Sequence, residues 1–236
     1  MSQDYLSPLL ISCKTVLTTT VITFFLGIAV ARWMARYTGK GKSLLDGVFI
    51  LPLVLPPTVV GFGLLLFFGK NGPLAGILDF FSTSVVFSWP ATVISAVVMT
   101  FPLMYMSARA GFEQVDRNVE NAARTLGASE WRIFWSVTMP MAWPAVVAAT
   151  ILAFARALGE FGATLILAGN IPGKTTTLPV AIYFNIQAGH TDRALILVAI
   201  VAAISFVSLA ALAYWKLKPS LGTAAKVNKP KQAESM

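Results

Sequence analysis

Long apolar segments separated by short polar ones dominate the pattern of this chain. Five apolar runs carry few charges and are about 20 residues long, which is the length that an α-helix needs to cross a bilayer. They are Leu9–Ala31, Leu44–Phe68, Val85–Ser107, Pro140–Leu158 and Leu195–Trp215. The pattern therefore predicts an all-α, polytopic membrane protein with five transmembrane helices.

The composition supports a membrane protein and argues against an ordinary soluble domain. Hydrophobic residues make up 56% of the 236 residues, and charged residues make up only 12%. A typical globular domain has about 25% charged residues. Because a soluble globule of this size could not bury so much apolar surface, the chain needs lipid as its solvent.

The positions of the basic residues predict the orientation of the spans. Thirteen of the 18 lysines and arginines follow the first span, separate the third span from the fourth, or lie in the C-terminal tail. With five spans, these segments all fall on one side, and an excess of Lys and Arg marks the cytoplasmic side. We therefore expect an external N-terminus and a cytoplasmic C-terminus. Since the charges flank membrane helices, the net charge of +8 does not indicate nucleic-acid binding.

Two segments between the spans are also apolar. Lys70–Ser84 has apolar residues at helical spacing, which predicts a short interfacial helix. Phe161–Asp192 is interrupted by glycines and prolines, and irregular backbone at membrane depth must be buried in protein or line a cavity. Within it, Thr177–Gln187 could form a helix, so six spans is the alternative count.

The polar tail, residues 222–236, is predicted to be disordered, which leaves 1–221 as the membrane domain.

The segment between the third and fourth spans, Glu113–Trp135, predicts two short helices joined at a turn. Gly127 is placed to stop the first helix, and Ser129 is placed to cap the second. A face of small and apolar side chains on an exposed helix is unusual unless another surface packs against it. A helix lying flat on lipid headgroups is the alternative. That face is formed by Val115, Val119, Ala122, Ala123 and Leu126, opposite Asp116, Arg117, Glu120 and Arg124.

The residues Glu120-Asn-Ala-Ala-Arg-Thr-Leu-Gly127, followed by Val137-Thr-Met-Pro140, resemble the EAA loop of ABC importer permeases. Asn121 stands at the glutamate position of that family, and Glu120 stands one place earlier. Ala122, Ala123, Gly127 and Pro140 are in register with the family pattern. The resemblance implies that this coupling loop, residues 113–139, docks into a cytoplasmic ATPase subunit and transmits its closure to the membrane helices.

Three further segments resemble the molybdate-type branch of these permeases: Leu51–Gly61, Gly159–Thr164 and Asn170–Thr175. The resemblance implies a homodimer in the bacterial inner membrane that imports molybdate by alternating access, with tungstate left open as a further substrate. Its partners would be two copies of a cytoplasmic ABC ATPase and an extracytoplasmic oxyanion-binding protein. A permease for sulfate or another oxyanion is the alternative within the class. A secondary transporter or channel that needs no ATPase is the alternative outside it.

Two adjacent prolines fall in the middle of the second span. Because Pro56 and Pro57 have no N–H groups, they leave helical carbonyls unpaired and predict a break, with a new half-helix starting near Pro57. Free N–H groups of Thr58, Val59 and Val60 would give that half-helix a positive end suited to an oxyanion. A kink that only shapes packing is the alternative.

Arg156 and Glu160 lie four residues apart near the outer end of the fourth span. Ionisable residues inside spans usually pair with one another and mark a pathway. Because a mutual pair leaves little net charge to attract an anion, we favour pairing or gating over direct binding.

The chemistry-bearing residues predict a transport subunit and no enzyme. One cysteine and one histidine exclude a Cys-based cluster and a two-His metal site. We therefore expect no metal site and no cofactor, and ATP hydrolysis is expected in a separate partner.

Overall fold

The computed structural model describes residues 2–81 and 83–224, and the regular structure within these ranges is helical. In chain order the helices are α1 (Ser2–Arg36), α2 (Lys42–Val54), α3 (Pro57–Phe68), α4 (Ala75–Phe80), α5 (Trp89–Glu113), α6 (Arg117–Thr125), α7 (Glu130–Ile133), a π-helical turn (Phe134–Thr138), α8 (Met139–Leu158), α9 (Gly162–Ala168), α10 (Leu178–Gln187) and α11 (Thr191–Ala224).

Among the described residues, four helices are long and apolar enough to cross a bilayer. Three are within α1, α5 and α11, and the fourth is the continuous helix Glu130–Leu158 that joins α7, the π turn and α8. The pair α2 and α3 meets the same criterion as one broken helix, with a bend of 111° between its halves. The count is therefore five spans if the bent pair is one of them, which agrees with the sequence. At ten residues, α10 is only about 15 Å long and is too short to be a sixth.

The bent pair extends between the two ends of α5. Asp46 of α2 contacts Tyr105 and Arg109 near the C-terminal end of α5. In contrast, Leu65 of α3 packs against a buried cluster that includes Ala91, near the start of α5. This placement fits a broken span better than a segment that returns to the side from which it came.

The central helix is α5, which packs against α1, α8, α2 and α9. Small side chains let helices approach closely where lipid offers no hydrophobic drive for their association. Hydroxyl pairs add polar contacts between α1 and α5, with Thr15 at 2.9 Å from Thr92 and Thr23 at 3.2 Å from Thr100. The small buried residues of α5 and α8 include Ala96, Ala108, Gly111, Ala142, Ala149 and Ala153.

The break in the second span lies where the prolines predict it. Helix α2 ends at Val54 and α3 begins at Pro57. The prediction of three free N–H groups is wrong for two of them, because Val59 and Val60 both donate to the carbonyl oxygen of Pro56, at 2.9 and 3.2 Å. The carbonyl of the N-cap residue accepts the first bonds of the new helix, so Thr58 is the remaining candidate donor.

The segment Phe161–Asp192 forms two short helices joined by a loop. Helix α9 packs against α3 and α5, and α10 packs against α11 and α1. In the connecting loop, Thr175, Thr176 and Thr177 are buried. The part of the loop that leads into α10 is therefore covered by protein, which is the condition under which irregular backbone is tolerated at membrane depth, whereas Pro172, Gly173 and Lys174 are exposed.

At the C-terminal end, α11 continues to Ala224. The predicted boundary of the tail at residue 222 therefore falls inside this helix. The rest of the predicted tail, residues 225–236, lies outside the described residues.

At Gly61, α3 lies close to the backbone of α9. A Cβ atom at this position would lie 2.7 Å from the Cα atom of Ala163, which is backbone and cannot move aside. Gly63, one half-turn further along the same helix, has nothing within 4 Å of an added Cβ. Gly63 therefore provides a matched control for a substitution at Gly61, because both glycines lie in α3 and only Gly61 is crowded.

We expect Gly61→Ala to push α3 away from α9 and to lower stability by about 1–3 kcal/mol, the usual cost of overpacking. Gly63→Ala should leave stability unchanged or raise it, because alanine favours a helix over glycine by about 1 kcal/mol. Thermal unfolding of the two variants in the same detergent measures the difference. Equal midpoints would contradict the packing described at Gly61.

Candidate functional site: an anchored loop and a broken helix

Local hydrogen bonds define both ends of α6. The side chain of Asp116 accepts a bond from the N–H of Asn118 at 2.8 Å and caps the first turn. At the other end, the N–H of Ala128 donates to the carbonyl of Ala123 at 3.1 Å, and the N–H of Gly127 donates to the carbonyl of Arg124 at 2.9 Å. These two bonds form a Schellman motif, which requires the left-handed conformation that Gly127 adopts, with φ of 80°.

The second helix of the loop begins at the predicted residue. Ser129 is the N-cap of α7, and its side chain accepts a bond from the N–H of Arg132 at 3.3 Å. The chain then runs without interruption through the π turn into α8. The loop is thus one short rigid helix followed by a tight turn that leads directly into a span.

Helix α6 turns its apolar side outward and its acidic residue inward. Leu126 is 88% exposed and Val119 is 42% exposed, and Ala122 is also exposed. Glu120, by contrast, is only 5% exposed. The predicted apolar face is therefore present and uncovered, although Val115, which was placed on it, is buried in the core and precedes the helix.

Glu120 binds the loop to two membrane helices at once. Its Oε2 atom lies 2.6 Å from Nη2 of Arg36, and its Oε1 atom lies 3.3 Å from Nη1 of Arg32. The hydroxyl of Thr138, in the π turn before α8, donates to Oε1 at 2.5 Å. This one carboxylate therefore connects α6 to α1 and to the start of α8.

These contacts determine the protonation state of Glu120. Burial, the largest influence, raises the pKa of its carboxyl group, but the hydrogen bonds from Thr138 and Arg36 and the charges of Arg32 and Arg36 together hold the pKa below its ordinary value. A carboxylate that accepts several charged hydrogen bonds is stabilised in its ionised form. Glu120 is thus an anion at neutral pH.

A second ion-pair group lies at the rim of the same contact. Glu130 of α7 pairs with Arg36 at 2.8 Å and with Arg124 of α6 at 2.5 Å. Arg124 also donates to Oδ1 of Asn121 at 2.6 Å. Asn121, which the sequence resemblance predicts to be at the glutamate position of the motif, therefore lies on the exposed side and is held by Arg124, whereas Glu120 takes the buried position.

The π turn is located where prolines weaken the helix. Pro140 and Pro144 both lie inside or at the start of α8, and neither can donate to the carbonyl four residues earlier. A π turn widens the helix locally, and both prolines and single π turns are recognised sites at which helices bend. Here the widened turn contains Thr138, which is fully buried against Glu120.

The predicted path residues converge from two sides. Pro56, Pro57 and Thr58 are exposed at the break of the second span. A Cβ added to Gly162, at the start of α9, would lie 3.0 Å from Cβ of Pro57. The start of α3 therefore lies directly against the turn that follows Glu160.

Arg156 and Glu160 form the predicted pair, with Nη1 and Oε2 separated by 2.8 Å. Glu160 is only 3% exposed. Its Oε1 atom also accepts a bond from the N–H of Ala163 at 3.0 Å, in the first turn of α9. This capping contact was not predicted, although an acidic residue shortly before a helix is a recognisable signal for it.

The two groups of site residues do not meet. Glu120, Asn121, Ala122, Ala123 and Gly127 lie in the loop, beside Pro140 at one end of α8, whereas Arg156 and Glu160 lie at its other end. With 20 residues, α8 separates these groups by about 30 Å. In the part of the chain that the structure describes, no group of three or more His, Cys, Asp or Glu side chains could hold a metal ion.

Comparisons with known proteins agree with this architecture. Residues 24–221 match the family described as binding-protein-dependent transport system inner membrane component. The chain belongs to this family. Its permeases are membrane subunits rather than enzymes. The permease is 45% identical to the molybdenum transport system permease protein ModB of Escherichia coli (strain K12) over 202 residues. The aligned region covers 85% of this chain and 88% of ModB.

A second relative is similar over almost the whole length. The putative molybdenum transport system permease protein YvgM of Bacillus subtilis (strain 168) is 42% identical over 209 residues, covering 88% of the permease and 92% of YvgM. A crystal structure of a bacterial alginate ABC transporter, in complex with an alginate pentasaccharide-bound periplasmic protein, matches the fold with a TM-score of 0.74. The sequences are 15% identical, and the match covers 90% of the permease and 78% of the matched chain of the alginate transporter. At this low identity the match supports the fold alone.

We expect Glu120→Gln to lower stability by about 1–3 kcal/mol, because two arginines and a hydroxyl lose their buried anion. Glu113→Gln is the control, since Glu113 pairs with Arg109 at the surface, where an ion pair contributes about 0–1 kcal/mol. Thermal unfolding at pH 7 measures both losses. A loss for Glu120→Gln no larger than for Glu113→Gln would contradict the anchoring role.

The stability lost in Glu120→Gln should depend on pH. Because the folded state lowers the pKa of Glu120, its contribution is present above the unfolded-state pKa of about 4.3 and is lost as the pH falls through the lower folded-state pKa. The difference in stability between the native chain and Glu120→Gln should therefore be constant near neutral pH and shrink below about pH 4.

Proposed function

We propose that the permease is the membrane subunit of an ATP-driven importer of molybdate, in which α6 receives a cytoplasmic ABC ATPase. The observation that carries the ATP-driven mechanism is the outward apolar face of α6, held in place by the inward anchor at Glu120. The substrate is supported by the similarity to two molybdenum transport permeases over most of both chains.

The proposed orientation places the loop in the cytoplasm and the N-terminus outside. Arginines are concentrated at the loop end of the bundle, where Arg32, Arg36, Arg109 and Arg124 all lie near α6 or α2. An excess of positive charge at one end of a helical bundle marks its cytoplasmic side. An ATPase in the cytoplasm would then find Leu126 on the surface that faces it.

The anchor at Glu120 provides a route for movement. When two ATPase subunits close on ATP, α6 moves with the ATPase, and the ion pairs with Arg32 and Arg36 transfer that movement to α1. The bond from Thr138 transfers it to α8, since the π turn continues into that helix. A rigid connection at both helices lets one docking surface rock the bundle between inward-open and outward-open states.

The proposed translocation path runs along the broken second span at the interface of a homodimer. Five spans are few to enclose a pathway, and the break at Pro56, Pro57 and Thr58 is exposed in the single chain. A half-helix of 12 residues begins there, and its positive end favours an anion. Arg156 is paired with Glu160, so the path would offer an oxyanion transient contacts rather than a strong binding site.

Uptake of labelled molybdate tests this proposal. Cells that lack their own permease would express this chain with an oxyanion-binding protein, either with or without the ATPase subunit, in the presence of excess sulfate. We expect uptake that requires the ATPase and resists sulfate. ATPase-dependent uptake that sulfate abolishes would indicate a sulfate permease instead. Uptake without the ATPase would contradict the ATP-driven mechanism and favour a secondary transporter or channel.

Gly127→Trp tests the docking surface separately. A tryptophan here would project from the end of α6 into the space that the ATPase is proposed to occupy, so we expect loss of ATPase co-purification and of uptake. Gly189→Trp is the matched control, because Gly127 and Gly189 have φ values of 80° and 78° and nothing within 4 Å of an added Cβ. Both variants carry the same backbone strain. Normal co-purification of the ATPase with Gly127→Trp would exclude docking at this turn.

A further inference from the structure

A small internal cavity lies where α1, α5, α8 and α9 meet the residue before α10. The polar residues that line it are four with hydroxyl groups and one with a carboxylate: Ser12, Thr15, Thr164, Thr177 and Glu160. All five residues are buried. The volume of the cavity that is open to water is about 10 Å³. This is close to the roughly 10–15 Å³ that one water molecule needs, and it is too small for a larger ligand.

Two of these side chains have polar atoms that lack hydrogen bonds. Neither Oγ1 of Thr177 nor Oε2 of Glu160 has a hydrogen-bond partner among the described residues, although Oε2 has its ion-pair contact with Arg156. Burying a polar group without a partner costs about 1–3 kcal/mol. Oγ1 of Thr177 has no such partner and Oε2 of Glu160 has only its ion pair, so a ligand in the cavity that bonds to both would remove this cost.

The charges around the cavity identify the kind of ligand. The carboxylate of Glu160 is already neutralised by the guanidinium of Arg156 at 2.8 Å, so a bound cation would be repelled by that arginine. An anion would be repelled by Glu160. A neutral molecule that can both donate and accept is required, because the carboxylate only accepts and the hydroxyls do either.

We propose that one water molecule occupies this cavity as a permanent structural ligand, donating to Oε2 of Glu160 and bonding to Oγ1 of Thr177. Ser12 can complete its coordination. The hydroxyl oxygen of Ser12 accepts a bond from the N–H of Leu178 at 2.7 Å and keeps its own proton for donation. Buried waters typically make about three such bonds.

The water ties the two short helices of Phe161–Asp192 together. Glu160 caps the start of α9 through Ala163, and Thr177 is the residue immediately before α10. The other face of the Glu160 turn contacts Pro57 through Gly162. Through this water, Glu160 and Thr177 become positioning residues for the turn that supports the start of α3.

Thermal unfolding of the full-length permease in lipid nanodiscs tests the water. Thr177→Val keeps the shape of the side chain and removes its hydroxyl, so the water loses a partner. We expect the midpoint to fall by about 2–4 °C. The hydroxyl of Thr177 makes no capping bond to α10, so loss of a cap cannot explain the fall. Thr177→Ser keeps the hydroxyl and should retain most of the native midpoint.

Thr19→Val is the matched control. Thr19 is also fully buried with an Oγ1 atom that has no partner among the described residues, but it does not line this cavity. Removing an unsatisfied hydroxyl should leave the midpoint unchanged or raise it. The same neutral or positive effect for Thr177→Val would overturn the proposal. In a density map that resolves ordered water, we expect a peak about 2.7–3.2 Å from both Glu160 Oε2 and Thr177 Oγ1, and a map without that peak would also overturn it.

Discussion

The arrangement of the loop end depends on the carboxylate of Glu120 and the two arginines of α1 that bind it. A buried anion without partners would be strongly unfavourable, so α6 can dock on the bundle only in the orientation that brings Glu120 to Arg32 and Arg36. That orientation turns Leu126 away from the protein. The same contact therefore fixes the loop and leaves its apolar face uncovered.

The anchor and the broken span lie at opposite ends of α8. From the π turn, α8 runs without a break to Arg156, which pairs with Glu160 at the turn before α9. That turn touches Pro57 at the start of α3 through Gly162. Chain continuity and direct contact thus connect the proposed docking surface to the proposed path.

The sequence predicted those features that depend on local rules. Hydropathy located the spans, Pro56 and Pro57 located the break, and Gly127 located the end of α6, because each effect is confined to a few neighbouring residues. The buried position of Glu120 could not be predicted, since it depends on arginines more than 80 positions away in the chain. For the same reason, the sequence did not predict that Thr177 and Glu160 line one cavity.

Photo-cross-linking from position 126 tests the central claim that the outward face of α6 meets the ATPase. Cys13, the one native cysteine, would be replaced by serine, and Leu126→Cys would carry a benzophenone label in the complete complex. His190→Cys, in the polar turn before α11, is the control at the other end of the bundle. We expect a covalent product of the permease with the ATPase subunit from position 126 and none from position 190. Labelling of lipid alone from position 126 would contradict it and would favour a helix that lies on the membrane surface.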